Sequence, residues 1–206
     1  MDIVLHGRYF KGDYIMATTQ PVRDKQQLRE LVSYYLKLGQ LRNYLLIVLA
    51  IYTALRISDL LRLKWDDVYD FKNNCVRTSI TIVEKKTRKS KTIALNRIII
   101  KALTMYASVA AESGNFIIEN KNTGEAISRI QAYRLVRAAA EAVKILTRVS
   151  CHSLRKTFGY LAWKKGVSPA VIMEIYNHSS LAVTRRYLGV TQEDKDEVYL
   201  NLDISE

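Results

Sequence analysis

Cys151-His152-Ser153-Leu154-Arg155-Lys156 is the stretch on which the reading of this 206-residue chain turns. His152 and Arg155 stand three apart, so on a helix they project side by side. A phosphate fits between such a pair. Arginine offers a planar fork of donors that matches two phosphate oxygens, and histidine donates a hydrogen bond or moves a proton near neutral pH. Taken alone, a His and an Arg at this spacing on a basic helix are more often a solvated face.

Outward from this segment, the C-terminal third reads as helical. Helices are expected at about 153–165, at 169–176 with Ser168 as a cap, at 183–188 and at 193–200. Toward the N-terminus, Leu28, Leu31, Val32, Tyr35 and Leu36 form the stripe of an amphipathic helix that Gly39 can close. A second helix is expected at 41–54 and a short third at 57–63, which leaves Arg56 at a junction between helices. Between Val76 and Leu95 the period changes to two: Val76, Thr78, Ile80 and Ile82 share one face, and Ile93 and Leu95 resume it after a polar break. This predicts a hairpin. Its tip, residues 85–91, carries five cations in seven residues, so it is solvated or held against an anion. Ile100, Leu103, Ala107 and Ala110 mark a helix ending at Gly114, and Ile130, Tyr133, Val136, Ala140 and Val143 mark another that begins near Ser128. No repeat or Pro/Gly-rich linker divides the chain. The expected architecture is one mostly α (α+β) domain at 21–190 with a small antiparallel sheet, after an irregular lead-in at 1–20 and before a C-terminal tail or helix at 191–206.

Hydrophobic content of 49% is enough for a single substantial core. Lys and Arg number 32 against 20 Asp and Glu, a formal charge of +12, which favours polyanionic partners, nucleic acid foremost. Charge alone fits an ordinary basic protein equally well. Cys75 and Cys151 match neither a metal-ligand spacing nor a disulfide framework, and a reducing cytoplasm is the natural compartment. The longest apolar stretch, Tyr44 to Leu55, is too short to span a bilayer, and the N-terminus lacks the apolar region of a signal peptide. A soluble intracellular protein with no membrane partner is expected.

A second segment, His178-Ser179-Ser180, precedes Tyr187 by nine residues, and Tyr187 lies within Thr184-Arg185-Arg186-Tyr187-Leu188. Two neighbouring arginines invite a phosphate to the phenol, whereas one tyrosine among thirteen is, taken singly, an amphipathic packing residue. Read together with Thr53-Ala54-Leu55-Arg56-Ile57-Ser58-Asp59-Leu60-Leu61, these segments resemble the catalytic domain of the tyrosine recombinases, the phage integrase family. Four features match in order: the Ala-Leu-Arg-Ile-Ser-Asp-Leu-Leu junction, the lysine-tipped hairpin, the His-Ser-Leu-Arg helix, and the His-Ser-Ser segment before Arg-Tyr-Leu. The resemblance runs from about residue 24 to 190.

The resemblance implies that Arg56 and Arg155 clamp the scissile phosphate of duplex DNA and stabilise the pentacoordinate transition state without a metal or cofactor. It implies that Lys86, before Thr87, protonates the leaving 5′ oxygen, with Lys85, Lys89 and Lys91 close by in the same loop. His152 assists proton transfer, His178 bonds the phosphate, and Tyr187 attacks to give a 3′-phosphotyrosyl link that needs no ATP to rejoin. The residues themselves agree, because a phenol with a reference pKa of about 10 needs nearby cations or a base to react at neutral pH. Other readings stay open: Arg56 pairing with Asp59, Lys86 as one more solvated cation, and His178 as a capping residue.

Two departures stand out. Tyr176-Asn177 replaces the Leu-Gly that many members carry before the second histidine, and asparagine is next best at a left-handed cap. A separate N-terminal helical domain that most members carry has no counterpart, which fits either a fragment or a short member such as the invertases that switch fimbrial genes. By resemblance, the expected partners are duplex DNA and three further protomers in a tetramer on synapsed sites, with accessory DNA-bending proteins as optional helpers. The acidic tail, Glu193, Asp194, Asp196 and Glu197, is expected to pack on a neighbouring protomer. The nucleoid of the cytoplasm is the expected location. Alternatives are a type IB topoisomerase and a DNA-binding regulator that uses the fold without cleaving.

Overall fold

The computed structural model describes residues 19–112 and 114–202, so nearly all of the lead-in read at 1–20 lies outside the described residues. The fold is organised around α2 (Leu41–Tyr52), in which every residue from Asn43 to Ile51 is buried. A helix apolar on all sides needs partners on all sides. It finds them in α1 (Lys25–Lys37), α5 (Arg97–Ala110) and α7 (Cys151–Lys164). α1 contributes the expected stripe, with Leu28, Leu31 and Tyr35 buried. Its first turn is held by the Asp24 carboxylate, which accepts from the Gln27 amide at 2.6 Å, and its end by Gly39 at φ +68°. Truncating a wholly buried α2 leucine such as Leu45 or Leu49 to alanine costs about 2–5 kcal/mol by transfer and cavity formation.

The junction after α2 is tighter than its sequence suggests. α3 covers only Ile57–Leu60, not the expected 57–63, and a short helix α4 (Trp65–Val68) follows that periodicity did not reveal. Four residues are too few for a 3.6-residue period to register.

The hairpin also needs correction. Val76 is not part of it: β1 (Tyr69–Asp70) and β2 (Cys75–Val76) form their own antiparallel pair, with Tyr69 opposite Val76. The hairpin proper is β3 (Ser79–Val83) against β4 (Ser90–Ala94), with Ile80 opposite Ile93 and Val83 opposite Ser90. The alternation ran on because both strands present Val and Ile to one core, while the chain shifts to a new partner between Val76 and Ser79. Lys91 lies in β4, not in the tip.

α6 (Arg129–Ala142) begins at a capping box in which the Ser128 hydroxyl accepts from the Gln131 amide at 3.1 Å and the Gln131 side chain accepts from the Ser128 amide at 2.8 Å. α8 (Pro169–Tyr176), α9 (Leu181–Leu188) and the outer half of α7 enclose a second, smaller core of Ala54, Ile172, Tyr176 and Leu188. α10 (Gln192–Asn201) closes the described chain. Its Asp194 is buried, 3.6 Å from Arg23 and 3.5 Å from Lys164, and Lys164 also pairs with Glu197. Val198, Tyr199 and Leu200 on the same helix are 62%, 79% and 84% exposed. Among the described residues, no helix is long and apolar enough to cross a membrane.

Candidate active site

Arg56, Lys86, His152, Arg155, His178 and Tyr187 line one cleft of about 420 Å³, together with Ile57, Cys151 and Val183. They arrive from four parts of the chain. Arg56 caps α3, Lys86 sits in the β3–β4 turn, His152 and Arg155 lie in the first turns of α7, and His178 and Tyr187 flank the α8–α9 junction.

Local sequence explains each placement. Ser150 starts α7 one residue before Cys151, its hydroxyl accepting from the Ser153 amide at 3.2 Å, so His152 and Arg155 share the helix face turned to the cleft. Asn177 adopts the left-handed conformation, φ 52° and ψ 45°, and ends α8 as the sequence predicted. The chain therefore turns at once into His178, whose Nδ1 lies 3.1 Å from the Thr184 hydroxyl on α9. Ala54 is also left-handed, at φ 54°, which turns its carbonyl toward Arg155.

Arg155 is 2% exposed, and each of its three guanidinium nitrogens makes a hydrogen bond within the protein, which leaves one further N–H on each of Nη1 and Nη2. Nε donates to the Tyr187 hydroxyl at 3.1 Å, Nη1 to the Ala54 carbonyl, and Nη2 to the Tyr176 carbonyl at 3.2 Å. Its Cζ also lies 4.7 Å from the centre of the Tyr176 ring. The Tyr187 hydroxyl is 3.3 Å from His152 Nδ1, and both histidine rings meet the Tyr187 ring edge to face, at 4.9 and 4.8 Å. Lys156 Nζ stands over that ring, 5.3 Å from its centre.

The electrostatics follow from crowding. Partial loss of hydration, reinforced by Lys156, Arg155 and Arg56, lowers the His152 pKa to about 4, although one edge of the ring faces solvent. Burial and the two arginines lower His178 to about 4 as well. Both imidazoles are therefore neutral at neutral pH. Burial raises the Tyr187 phenol above its ordinary value, against the opposing pull of Arg155 and Arg56, so the hydroxyl rests protonated.

Arg56 does not pair with Asp59. Its Nη1 lies 3.0 Å from Glu84 Oε2, and its Nη2 reaches the Tyr176 carbonyl at 3.4 Å. Asp59 accepts from the Lys85 amide at 2.9 Å and so fixes the base of the hairpin turn. Lys86 is exposed at the cleft rim, whereas Lys91 is half-buried and donates from Nζ to the Ile175 carbonyl at 2.6 Å. Burial and the neighbouring Arg155 lower the Lys91 pKa to about 8. Of the hairpin lysines, Lys86 is the one that lines the cleft. The sequence reading missed Glu84 and named Lys91 only as a neighbour of Lys86 in the tip. One signal was present: Glu84 is the only acidic residue between Asp70 and Glu112, set beside a run of cations.

The model of the phage integrase family matches residues 22–194, a span that includes every residue of this cleft. The chain belongs to the phage integrase family. Among its members, the probable integrase/recombinase YoeC of Bacillus subtilis strain 168 is 33% identical over 184 residues, which cover 89% of this chain and 97% of that protein. Other curated members are longer, and the chain spans 56% of the Pseudothermotoga lettingae tyrosine recombinase, at 26% identity. Among solved structures, XerA recombinase superposes with a TM-score of 0.73 at 20% identity, over 89% of this chain and 64% of that one. XerH recombinase in a post-cleavage complex with difH DNA superposes with a TM-score of 0.69 at 22% identity, over 89% and 54%. At those identities the likeness establishes the shared fold.

Proposed function

We propose that this chain is a site-specific DNA recombinase or integrase that cleaves and rejoins duplex DNA through a 3′-phosphotyrosyl intermediate, with residues 21–190 as the catalytic domain. The observation that carries this reading is the meeting of two arginines, two neutral histidines and a lysine around the Tyr187 hydroxyl, in one cleft. A phenol in that position has a proton acceptor, a cationic donor and space for a phosphate in front of it.

In the proposed reaction, the scissile phosphate takes the guanidinium donors of Arg56 and Arg155, and His178 adds a hydrogen bond. Tyr187 Oη forms a bond to phosphorus as the bond to the 5′ oxygen breaks. The phenolic proton passes to the free ring nitrogen of neutral His152, 3.3 Å away, and the leaving 5′ oxygen takes a proton from Lys86. The new phosphodiester to tyrosine preserves the bond energy. A 5′ hydroxyl from a second strand can then reverse the attack and expel Tyr187 without ATP. The catalytic charges are all side chains of this domain.

A tetramer on two synapsed DNA sites fits this chemistry, with α10 as the element that engages a neighbouring protomer through its exposed Val198, Tyr199 and Leu200. Deleting residues 192–206 should then weaken assembly more than DNA binding, and equal loss of both would count against it. Accessory DNA-bending proteins and a place in the nucleoid of the cytoplasm belong to the same reading. A type IB topoisomerase would share the cleavage step, and a non-cleaving regulator would not need the six side chains; the matched relatives named for their activity are recombinases and integrases.

The deciding experiment selects, from a pool of randomised duplexes nicked so that religation fails, those that become covalently attached to the wild-type protein. Attachment should vanish with Tyr187→Phe, and a two-site substrate should yield strand-exchange products. Covalent attachment that survives Tyr187→Phe would refute the assignment of the nucleophile.

A further inference from the structure

Glu84 is wholly buried, follows β3 directly, and takes no part in the reaction steps above. Its Oε2 pairs with the charge of Arg56 Nη1 at 3.0 Å and accepts hydrogen bonds from Asn177 Nδ2 at 2.8 Å and the Thr87 hydroxyl at 2.7 Å. Its Oε1 accepts no hydrogen bond among the described residues. The three partners belong to three separate parts of the cleft. Arg56 is itself a phosphate ligand in the proposed reaction, Thr87 follows Lys86, and Asn177 precedes His178.

We propose that Glu84 is a positioning residue for strand cleavage, which sets Arg56, Lys86 and His178 in one arrangement through a single carboxylate oxygen. The inference rests on the recombinase reading above and adds a group that never touches DNA. Arginine carries a long, flexible side chain, and its fork is useful only when its plane is fixed toward the phosphate. Among the described residues, the one other acceptor of Arg56 is the Tyr176 carbonyl at 3.4 Å, a weaker hold. Burial works against ionisation of Glu84, but the bonds from Thr87, Asn177 and Arg56 outweigh it and hold the carboxyl below its ordinary pKa. The charge is therefore present at neutral pH and balances Arg56 while no phosphate is bound. A second tie acts in parallel, because Lys91 of β4 donates to the carbonyl of Ile175, so the hairpin is fastened to the end of α8 on both strands.

Glu84→Gln keeps the size of the side chain and an oxygen to face these groups, but removes the negative charge that pairs with Arg56. In single-turnover cleavage of the nicked duplex recovered by the selection above, this variant of the full chain should cleave roughly 10- to 10²-fold more slowly, as misplaced catalytic groups do. Its affinity for the same duplex should stay within about twofold, since phosphate contacts along the DNA dominate binding. Combined with Arg56→Lys, the loss should be smaller than the product of the two single losses, because both changes disturb one arginine position. Should Glu84→Gln fail to fold, Asn177→Gly removes one donor while suiting the left-handed backbone, and Thr87→Ala removes another. Each should slow cleavage several-fold at unchanged affinity. Wild-type rates in these variants, or multiplicative losses in the double variant, overturn the role of Glu84 alone. No adduct with the wild-type chain overturns the recombinase reading and the inference with it.

Discussion

Replacing Arg155 by lysine tests the site and the fold together. The native guanidinium donates to the Tyr187 hydroxyl and to the Ala54 and Tyr176 carbonyls, in a pocket that leaves it 2% exposed. An ammonium at the end of a straight chain can satisfy one of these acceptors, so two charge-assisted bonds are lost. At about 1.5–3 kcal/mol each, the cost is about 3–6 kcal/mol. Arg56 keeps a hold on the Tyr176 carbonyl at 3.4 Å, which favours the lower end, about 3 kcal/mol. For a domain of this size, roughly 2–4 °C is lost per kcal/mol, so Tm should fall by roughly 6–12 °C. Thermal unfolding followed by circular dichroism reads this directly. Cleavage, measured below the lowered Tm, should drop by about 10²-fold or more, because a point charge replaces a bidentate fork. A Tm within about a degree of wild type would mean that the buried hydrogen bonds contribute little and that the reasoning from geometry is wrong.

Four further outcomes are expected. Gly159→Ala should destabilise by about 1–3 kcal/mol, because a Cβ there would lie 2.6 Å from the Tyr176 hydroxyl and 3.1 Å from Leu188; denaturant midpoints check it, and an unchanged midpoint would show that Tyr176 moves freely. Stability should fall as pH drops from about 6.5 toward 4, since His152 and His178 stay neutral in the fold down to about 4 while the unfolded chain takes up protons at the ordinary histidine value near 6.5. The cleavage rate should correspondingly show no histidine inflection between pH 6 and 8, and a step near 6.5 would contradict the crowded, desolvated setting of the rings. DNA affinity should decline with salt at a log-log slope of about −0.9 per phosphate neutralised, and a flat dependence in filter binding would contradict the role given to the basic surface.

The helices were legible wherever a stripe ran for three turns. Leu28, Leu31 and Tyr35 are buried as their spacing required, and Ser128 and Ser168 cap the helices that they precede. Asn177 takes the left-handed conformation expected of it. Short elements were not legible: α4 has no full period to read, and Val76 alternates in phase with β3 while pairing with Tyr69. Period reports which face is buried and is silent about the strand that buries it.

For the site, the residue types and their order were determined by the sequence, because the chemistry of phosphate and phenol admits few side chains. Their assembly was decided by the tertiary structure. Residues 56 and 84 meet only because the hairpin folds back over the α2–α3 junction, and residues 84 and 177 only because β4 is fastened to the end of α8. A buried carboxylate such as Glu84 owes its importance to donors far away in sequence, each too long-range to leave a local pattern. Which anion Arg56 would pair with, Asp59 one turn on or Glu84 across the cleft, depended on burial and direction, and those are properties of the folded chain alone.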